Sequence, residues 1–425
     1  MNRLIHTPEG VRDYYNQECA RNMALGNMID HLFLSYGYRF IQTPTFEFFD
    51  VFNKERGSAR SQEMYKFFDN HNDTLVLRPD ITPSVARAIS KYYLNEDMPL
   101  RLAYHGNVFT NAISYRGKLA EMTHLGCELV GDQTTESDAE VISITIEALR
   151  QSGLKDFQVE IGNIEFFYGI MEESGFSEEE ISDLHDLIEN KNYFAIEGLL
   201  NQKEIPATLK DVILKLPQMY GSIDKIREFK NLTRNEKAIH AIERLEKIYS
   251  LLCAYHMNDH VTFDLGLLSA YKYYTGVVFQ AFTFGMGDFI ASGGRYDHLV
   301  EQFGKNTPAV GCSIKLELLL LALSRQNVTV PTDPEPMLLL YDRSQKKDAI
   351  EAASALRNAG HRLTLMRKFD ERTMKDYAEY AKRNNITEIF RLAGPGALEK
   401  IDPVTGGCRP YSVAELISAK MTELR

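Results

Sequence analysis

Apolar and polar residues follow two rhythms along the chain, one helical and one extended, and the switches between them outline the fold. After a polar entry from Thr7 to Asp13, apolar positions recur at helical spacing to about Ser35, and a turn at Gly37 ends the pattern. The run Tyr38 to Glu47 alternates as a strand does. Its Pro44 has no N–H to donate and so belongs at an edge or an interface. Glu63 to Ser90 predicts a hairpin through the polar turn Asn70 to Asp73, then a strand closing on Arg78 and Pro79, then a helix. Asp80 and Thr82 fall where strand becomes helix, either as capping groups or as groups facing a ligand. Arg101 to Gly131 reads as strand, polar loop, strand, and Asp132 to Leu154 as an acid-rich helix closed by Gly153. A strand from Phe157 to Asn163 follows. From 164 to 258 the pattern is helical throughout, with a capping box at Ser177 and Glu180 and an apolar stripe of Ala238, Ile242, Leu245, Tyr249 and Leu252.

The stretch Val261 to Glu317 has the character of the floor and wall of a buried ligand site. β-Branched and aromatic residues run from Tyr273 to Phe284, Gly285 and Gly287 supply a turn, and Asp288 to Ser292 returns as the partner strand. Gly293 and Gly294 let backbone approach closely, with Arg295 following at the sheet surface. A helix ends at Gly304, a short strand spans Ala309 to Ser313, and an almost wholly apolar helix comes next. Ser324 to Pro336 is a Pro-rich linker, beyond which β-α-β-α-β predicts a small, mostly parallel α/β domain. These elements predict an α+β chain: a core domain over 1–324 with a helical insertion at 164–258, a linker at 325–336, and an α/β domain over 337–425.

Composition narrows the function classes. With 425 residues, 44% of them hydrophobic, and no apolar run near the ~18 residues of a membrane span, the chain is expected to be soluble. No signal-peptide pattern opens it. The five cysteines, Cys19, Cys127, Cys253, Cys312 and Cys408, form no CxxC pair, so reduced thiols of a cytoplasmic protein are expected and no metal site. A net charge of −11 argues against a broad nucleic-acid surface, although Met337 to Arg425 carries 16 Lys and Arg against 12 Asp and Glu.

Three segments carry a specific resemblance. YYTG (Tyr273 to Gly276), GGRYD (Gly293 to Asp297) and TPAVG (Thr307 to Gly311) resemble, in order and spacing, the histidine-specific and third class motifs of class II histidyl-tRNA synthetases. Tyr38 to Glu47 resembles the first motif, which builds a dimer interface, and Arg101 to Gly131 is similar to the second without a gap. Residues 337–425 resemble, more weakly, an anticodon-binding domain. The resemblance implies a class II synthetase-like antiparallel sheet with flanking helices. It also implies a histidine site in which Asp80 and Thr82 hold the amino group and Glu128 and Tyr274 the imidazole. Tyr273 supplies the neighbouring ring, and His124 stands where the family has a glutamine on the amino group. From the residues alone, Glu128 is equally a satisfied strand carboxylate and the tyrosines equally core.

The departures from the family lie where its chemistry is strongest. Arginines that grip ATP, the activated carboxyl or the substrate carboxylate are replaced by Thr110, Ala120, Ser269 and Leu318, and an adenine-seating glutamate by Ala112; Arg116 and Lys118 remain in the loop. One such preorganised donor typically supplies about 2.7 to 4 kcal/mol of transition-state stabilisation. With Ser269 in place of a cation, a ligand carboxylate needs another donor, for which Arg295 or a partner chain is the candidate. A synthetase frame without these groups is similar to the synthetase paralogues that act as regulatory subunits of ATP phosphoribosyltransferase. The resemblance implies a non-catalytic chain without a cofactor, associating with a short-form phosphoribosyltransferase in a hetero-octamer containing its own dimers. Histidine is then the implied effector, and tRNA and membranes are not expected as partners. The alternatives are a divergent histidyl-tRNA synthetase and a free-standing amino-acid-binding paralogue.

Overall fold

A nine-stranded sheet organises the first of two units, Met1–Val330; the second is Pro331–Arg425. The computed structural model describes residues 3–53, 59–111, 119–190, 192–203, 205–268, 273–332, 336–402, 405 and 407–423. In the first unit, α1 (Asn16–Ser35) leads to β1 (Arg39–Phe40) and β2 (Phe46–Phe48), then the hairpin β3 (Lys66–Phe68) and β4 (Thr74–Leu77), then α2 (Thr82–Tyr92). Next come β5 (Leu100–Phe109), β6 (Glu121–Val130), α3 (Thr135–Gln151) and β7 (Phe157–Asn163). The insertion holds α4 (Ile164–Glu172), α5 (Glu178–Glu189), α6 (Tyr193–Asn201), α7 (Ala207–Lys215), β8 (Tyr220–Gly221), α8 (Ile223–Glu228) and α9 (Glu236–Ala254). The unit closes with β9 (Val261–Asp264), β10 (Val277–Thr283), β11 (Ala291–Arg295), β12 (Ala309–Lys315) and α10 (Leu316–Arg325).

The large sheet runs β1-β5-β6-β12-β11-β10-β7-β9-β8, and its six central strands are antiparallel. Strand alternation gives it two unlike faces. On β6 the odd positions Leu125, Cys127 and Leu129 join the principal core with Leu25 and Ile29 of α1 and Ile142 and Ile146 of α3. On the other face Leu102, Tyr104 and Val130 pack with Ile81, Val85 and Ile89 around α2. The cavity that forms the candidate site lies on this second face, between α2 and the sheet.

Several sequence expectations change in register. Tyr38 to Glu47 is two short strands in different sheets, because the chain leaves the large sheet before Pro44 and re-pairs with β4 in a three-stranded sheet. The strand expected from Tyr273 begins at Val277, and its partner spans Ala291–Arg295, so Gly293 and Gly294 lie inside a strand, not after it. The helical stretch is interrupted by β8, which pairs with β9. In the second unit β13 (Met337–Tyr341), α11 (Lys346–Asn358), β14 (Leu363–Arg367), α12 (Met374–Arg383) and β15 (Ile389–Gly394) form the expected parallel units. The antiparallel strands β16 (Ala397–Ile401) and β17 (Cys408–Ser412) extend that sheet before α13 (Val413–Glu423). Among the described residues no helix is long and apolar enough to cross a membrane.

Candidate functional site

The start of α2 and the middle of β6 build the site. Asp80 bridges two elements: its Oδ1 accepts the N–H groups of Ile81 (2.7 Å) and Thr82 (3.3 Å), tying down the helix start, while Oδ2 accepts the Tyr273 hydroxyl at 3.0 Å. Thr82 donates its hydroxyl to Glu128 Oε1 at 2.7 Å, and Tyr296 donates to Oε2 at 2.5 Å. Glu128 is 1% exposed. Its carboxyl fits because Gly311 lies opposite on β12, where any Cβ would overlap Oε2. Gly294 likewise leaves room for the Tyr274 ring, which stands 4.9 Å from that of Tyr273 in an edge contact. Asp80, Thr82, His124, Glu128, Tyr273 and Tyr274 thus line one cavity, together with Tyr296, Ser292, Gly311 and Ser313.

Arg295 does not join them. On β11 the even positions Ser292 and Gly294 face the cavity and Tyr296 continues that face, so Arg295 projects through the opposite one. There its Nε and Nη2 donate to Asp138 Oδ1 at 2.8 and 2.7 Å, and Nη1 reaches Asp297 at 3.2 Å. Asp138 is fully buried and takes Arg244 of α9 on its other oxygen, at 2.6 Å. The expectation that Arg295 meets a ligand carboxylate is therefore corrected: it is a scaffold cation joining β11, α3 and, through Asp138, the insertion.

Burial dominates the electrostatics. The burial of Glu128, reinforced by the nearby Asp80, outweighs the hydrogen bonds from Tyr296 and Thr82 and pushes its pKa up to about 8. Burial therefore favours the protonated form of this group at neutral pH. His124, 7% exposed, is driven down to about 3 by burial and by the charges of Lys315 and Arg78, and so stays neutral. Its Nδ1 shares a 3.0 Å hydrogen bond with Ser313 Oγ, while Nε2 is buried without a partner. The free space is about 20 Å³, room for a water-sized guest, so an amino acid enters only as lining side chains move.

The expected ATP half offers no cations at the described positions. The Thr110 backbone N–H bonds the Ala120 carbonyl, Ala120 packs on Gly10, and Leu318 packs against the principal core. Ser269, Ala112, Arg116 and Lys118 lie outside the described residues. His185, Asp186 and Glu189 on α5 bring three ligand atoms within 4.8 Å of one another, and nothing further marks them as an ion site. One group lining the cavity, Tyr296, and one beside it, Lys315 across the strand pair from His124, escaped the sequence reading. Tyr296 sits inside the GGRYD segment, and strand parity alone would have found it. Lys315, 7% exposed, extends the cavity-side row Gly311, Ser313 of β12 two residues beyond the strand expected from sequence.

The histidyl-tRNA synthetase family model matches residues 10–319. The ATP phosphoribosyltransferase regulatory subunit of Ruminiclostridium cellulolyticum is 40% identical over 388 residues, covering 91% of this chain and 92% of that one. The protein of the same name from Acetivibrio thermocellus is 37% identical over 415 residues, 98% and 99% of the two chains. Among solved structures, an ATP phosphoribosyltransferase regulatory subunit/histidyl-tRNA synthetase from Bacillus halodurans superposes with a TM-score of 0.82 at 29% identity, over 92% of this chain and 99% of that one. A histidyl-tRNA synthetase from Nostoc shares the fold, with a TM-score of 0.80 at 21% identity over 99% of each chain. The chain belongs to the family of ATP phosphoribosyltransferase regulatory subunits, built on the class II histidyl-tRNA synthetase fold.

Proposed function

We propose that this cytoplasmic chain is the non-catalytic partner of a short-form ATP phosphoribosyltransferase at the first step of histidine biosynthesis, activating it by assembly and relaying inhibition by histidine. One observation carries the reading: the amino-acid half of a synthetase site survives as one cavity, while Thr110, Ala120 and Leu318 stand where nucleotide-gripping cations belong. In this reading histidine opens the cavity, its amino group goes to Asp80 and Thr82, and its imidazole lies between Glu128 and Tyr274. A protonated Glu128 either donates to a ring nitrogen or passes its proton to it, leaving an imidazolium beside a carboxylate. Self-association within a hetero-octamer uses the outer face of the three-stranded sheet, where Phe46 and Phe48 are 52% and 56% exposed and Phe46 meets Phe67 edge-on at 5.7 Å.

The test is reconstitution. Mixing the full chain with a short-form phosphoribosyltransferase is expected to raise turnover and to give a complex heavier than either component by light scattering, and added histidine then lowers the rate. Unchanged rate and mass would refute the assignment; activation without histidine inhibition would leave assembly standing and remove the relay. A separate expectation concerns the lost chemistry: the chain alone catalyses no histidine-dependent exchange of pyrophosphate into ATP. Exchange above the no-protein background would return it to the synthetases.

A further inference from the structure

Register places three residues side by side across the sheet: Gly106 of β5 opposite His124 of β6, and His124 opposite Lys315 of β12. Each end of this row carries a cation. Over Gly106 lies the guanidinium of Arg78, so near that a Cβ on the glycine would overlap Nη2. Arg78 is 6% exposed, and its acceptors among the described residues are all neutral: the carbonyls of Asn107 (2.7 Å), Thr43 (3.0 Å) and Pro44 (3.3 Å) and the Thr43 hydroxyl (3.2 Å). Glu47, whose charge attracts it, is already bonded to Arg87 at 2.7 Å. At the other end Lys315 lies 3.5 Å from the Phe289 ring and 3.3 Å from Asp288, a carboxylate that is 45% exposed. Between them stands the buried imidazole of His124 with its unpartnered Nε2. When the Ser313 hydroxyl donates to Nδ1, the ring proton is on Nε2, a donor held between two positive charges.

We infer that His124, flanked by Lys315 and Arg78, forms an oxyanion subsite at the edge of the cavity, accepting a carboxylate or phosphate in place of the cation lost from the synthetase pattern. Its chemistry suits the carboxylate of an amino acid seated against Glu128, a case that rests on the proposed histidine site, or the phosphate of a nucleotide or sugar phosphate, which does not. Charge-assisted hydrogen bonds from a buried donor row favour either over a neutral hydroxyl.

The full chain titrated with histidine, histidinol and inorganic phosphate separates these cases. Histidinol keeps the amine and imidazole of histidine but replaces the carboxylate by a hydroxymethyl group. Histidine binding at least about tenfold tighter than histidinol, with the gap lost in His124→Leu, supports the subsite with a carboxylate guest. Phosphate raising the melting temperature in wild type but not in His124→Leu, while neither amino compound binds, supports it with a phosphate guest and removes the histidine reading. Equal affinities for histidine and histidinol, with no effect of phosphate, overturn the subsite and leave the amino-acid site standing; no binding by any of the three overturns both. Should His124→Leu not fold, ¹⁵N-imidazole spectra of the wild type decide, because a His124 Nε2 signal unmoved by saturating histidine and phosphate excludes contact.

Discussion

Replacing Asp138 by alanine is expected to lower the stability of the first unit by about 3–5 kcal/mol, the usual result of removing one member of a buried ion pair. The carboxylate is fully buried and engages Arg295 on one oxygen and Arg244 on the other, so its loss leaves two guanidiniums facing each other across desolvated space. Asp138→Asn should lose nearly as much, since the amide keeps the shape without the charge. The triple replacement Asp138→Leu with Arg295→Met and Arg244→Met should recover most of the loss, because it removes all three charges instead of orphaning one. The chain has no tryptophan, so denaturant midpoints are best followed by far-ultraviolet circular dichroism. A midpoint within about 0.5 kcal/mol of wild type for Asp138→Ala, the range of an ordinary surface change, would mean that the triad contributes nothing.

The second large effect is a pH dependence carried by Glu128. Unfolded, the side chain titrates near its ordinary value of 4.5; folded, burial holds the proton up to about 8. Between those values the native state binds one proton more than the unfolded state, so this group's contribution to stability is fully present below 4.5 and falls as pH rises through about 8. At about 1.4 kcal/mol per pH unit, the loss across the window is several kcal/mol. Glu128→Gln removes the titration while keeping the volume. Its unfolding free energy should therefore lack this slope, and the variant should overtake the wild type above pH 8. Parallel stability curves for the two proteins from pH 5 to 9 would show that Glu128 is ionised in the folded chain. The same result would make the site a carboxylate acceptor, not an acid, toward any imidazole it meets.

The resemblance to the synthetase motifs, and not spacing, named the residues of the site; strand and helix-start spacing could say only which of them share a face. His124 and Glu128, four apart on β6, had to share a face, and Asp80 and Thr82 had to flank a helix start. What sequence left open was parity and length. Reading Arg295 and not Tyr296 as the ligand group put the wrong side of β11 toward the cavity, and ending β12 at Ser313 hid Lys315. The split at Pro44 was signalled by the proline, but which two sheets the halves would join depends on long-range pairing. β8, two residues long, has no periodicity to read. The β15–β16 turn went unread, although Gly394 and Gly396 bracket it in the sequence.

Strand β11 has a consequence for how such a chain can change over time. Cavity chemistry and structural anchorage are written on alternate residues of one segment: Ser292 and Gly294, then Tyr296, for the guest, and Arg295 for the ion pair that ties helix and insertion to the sheet. Point substitutions can therefore accumulate on one side without touching the other, so a frame of this kind can shed an activity and remain a foldable body on which new assemblies evolve. Insertions and deletions have no such freedom. Adding or removing a single residue in the strand exchanges the two sides, burying a guanidinium in the cavity and a phenol against Asp138. Drift in this lineage should thus appear as replaced side chains at constant strand length.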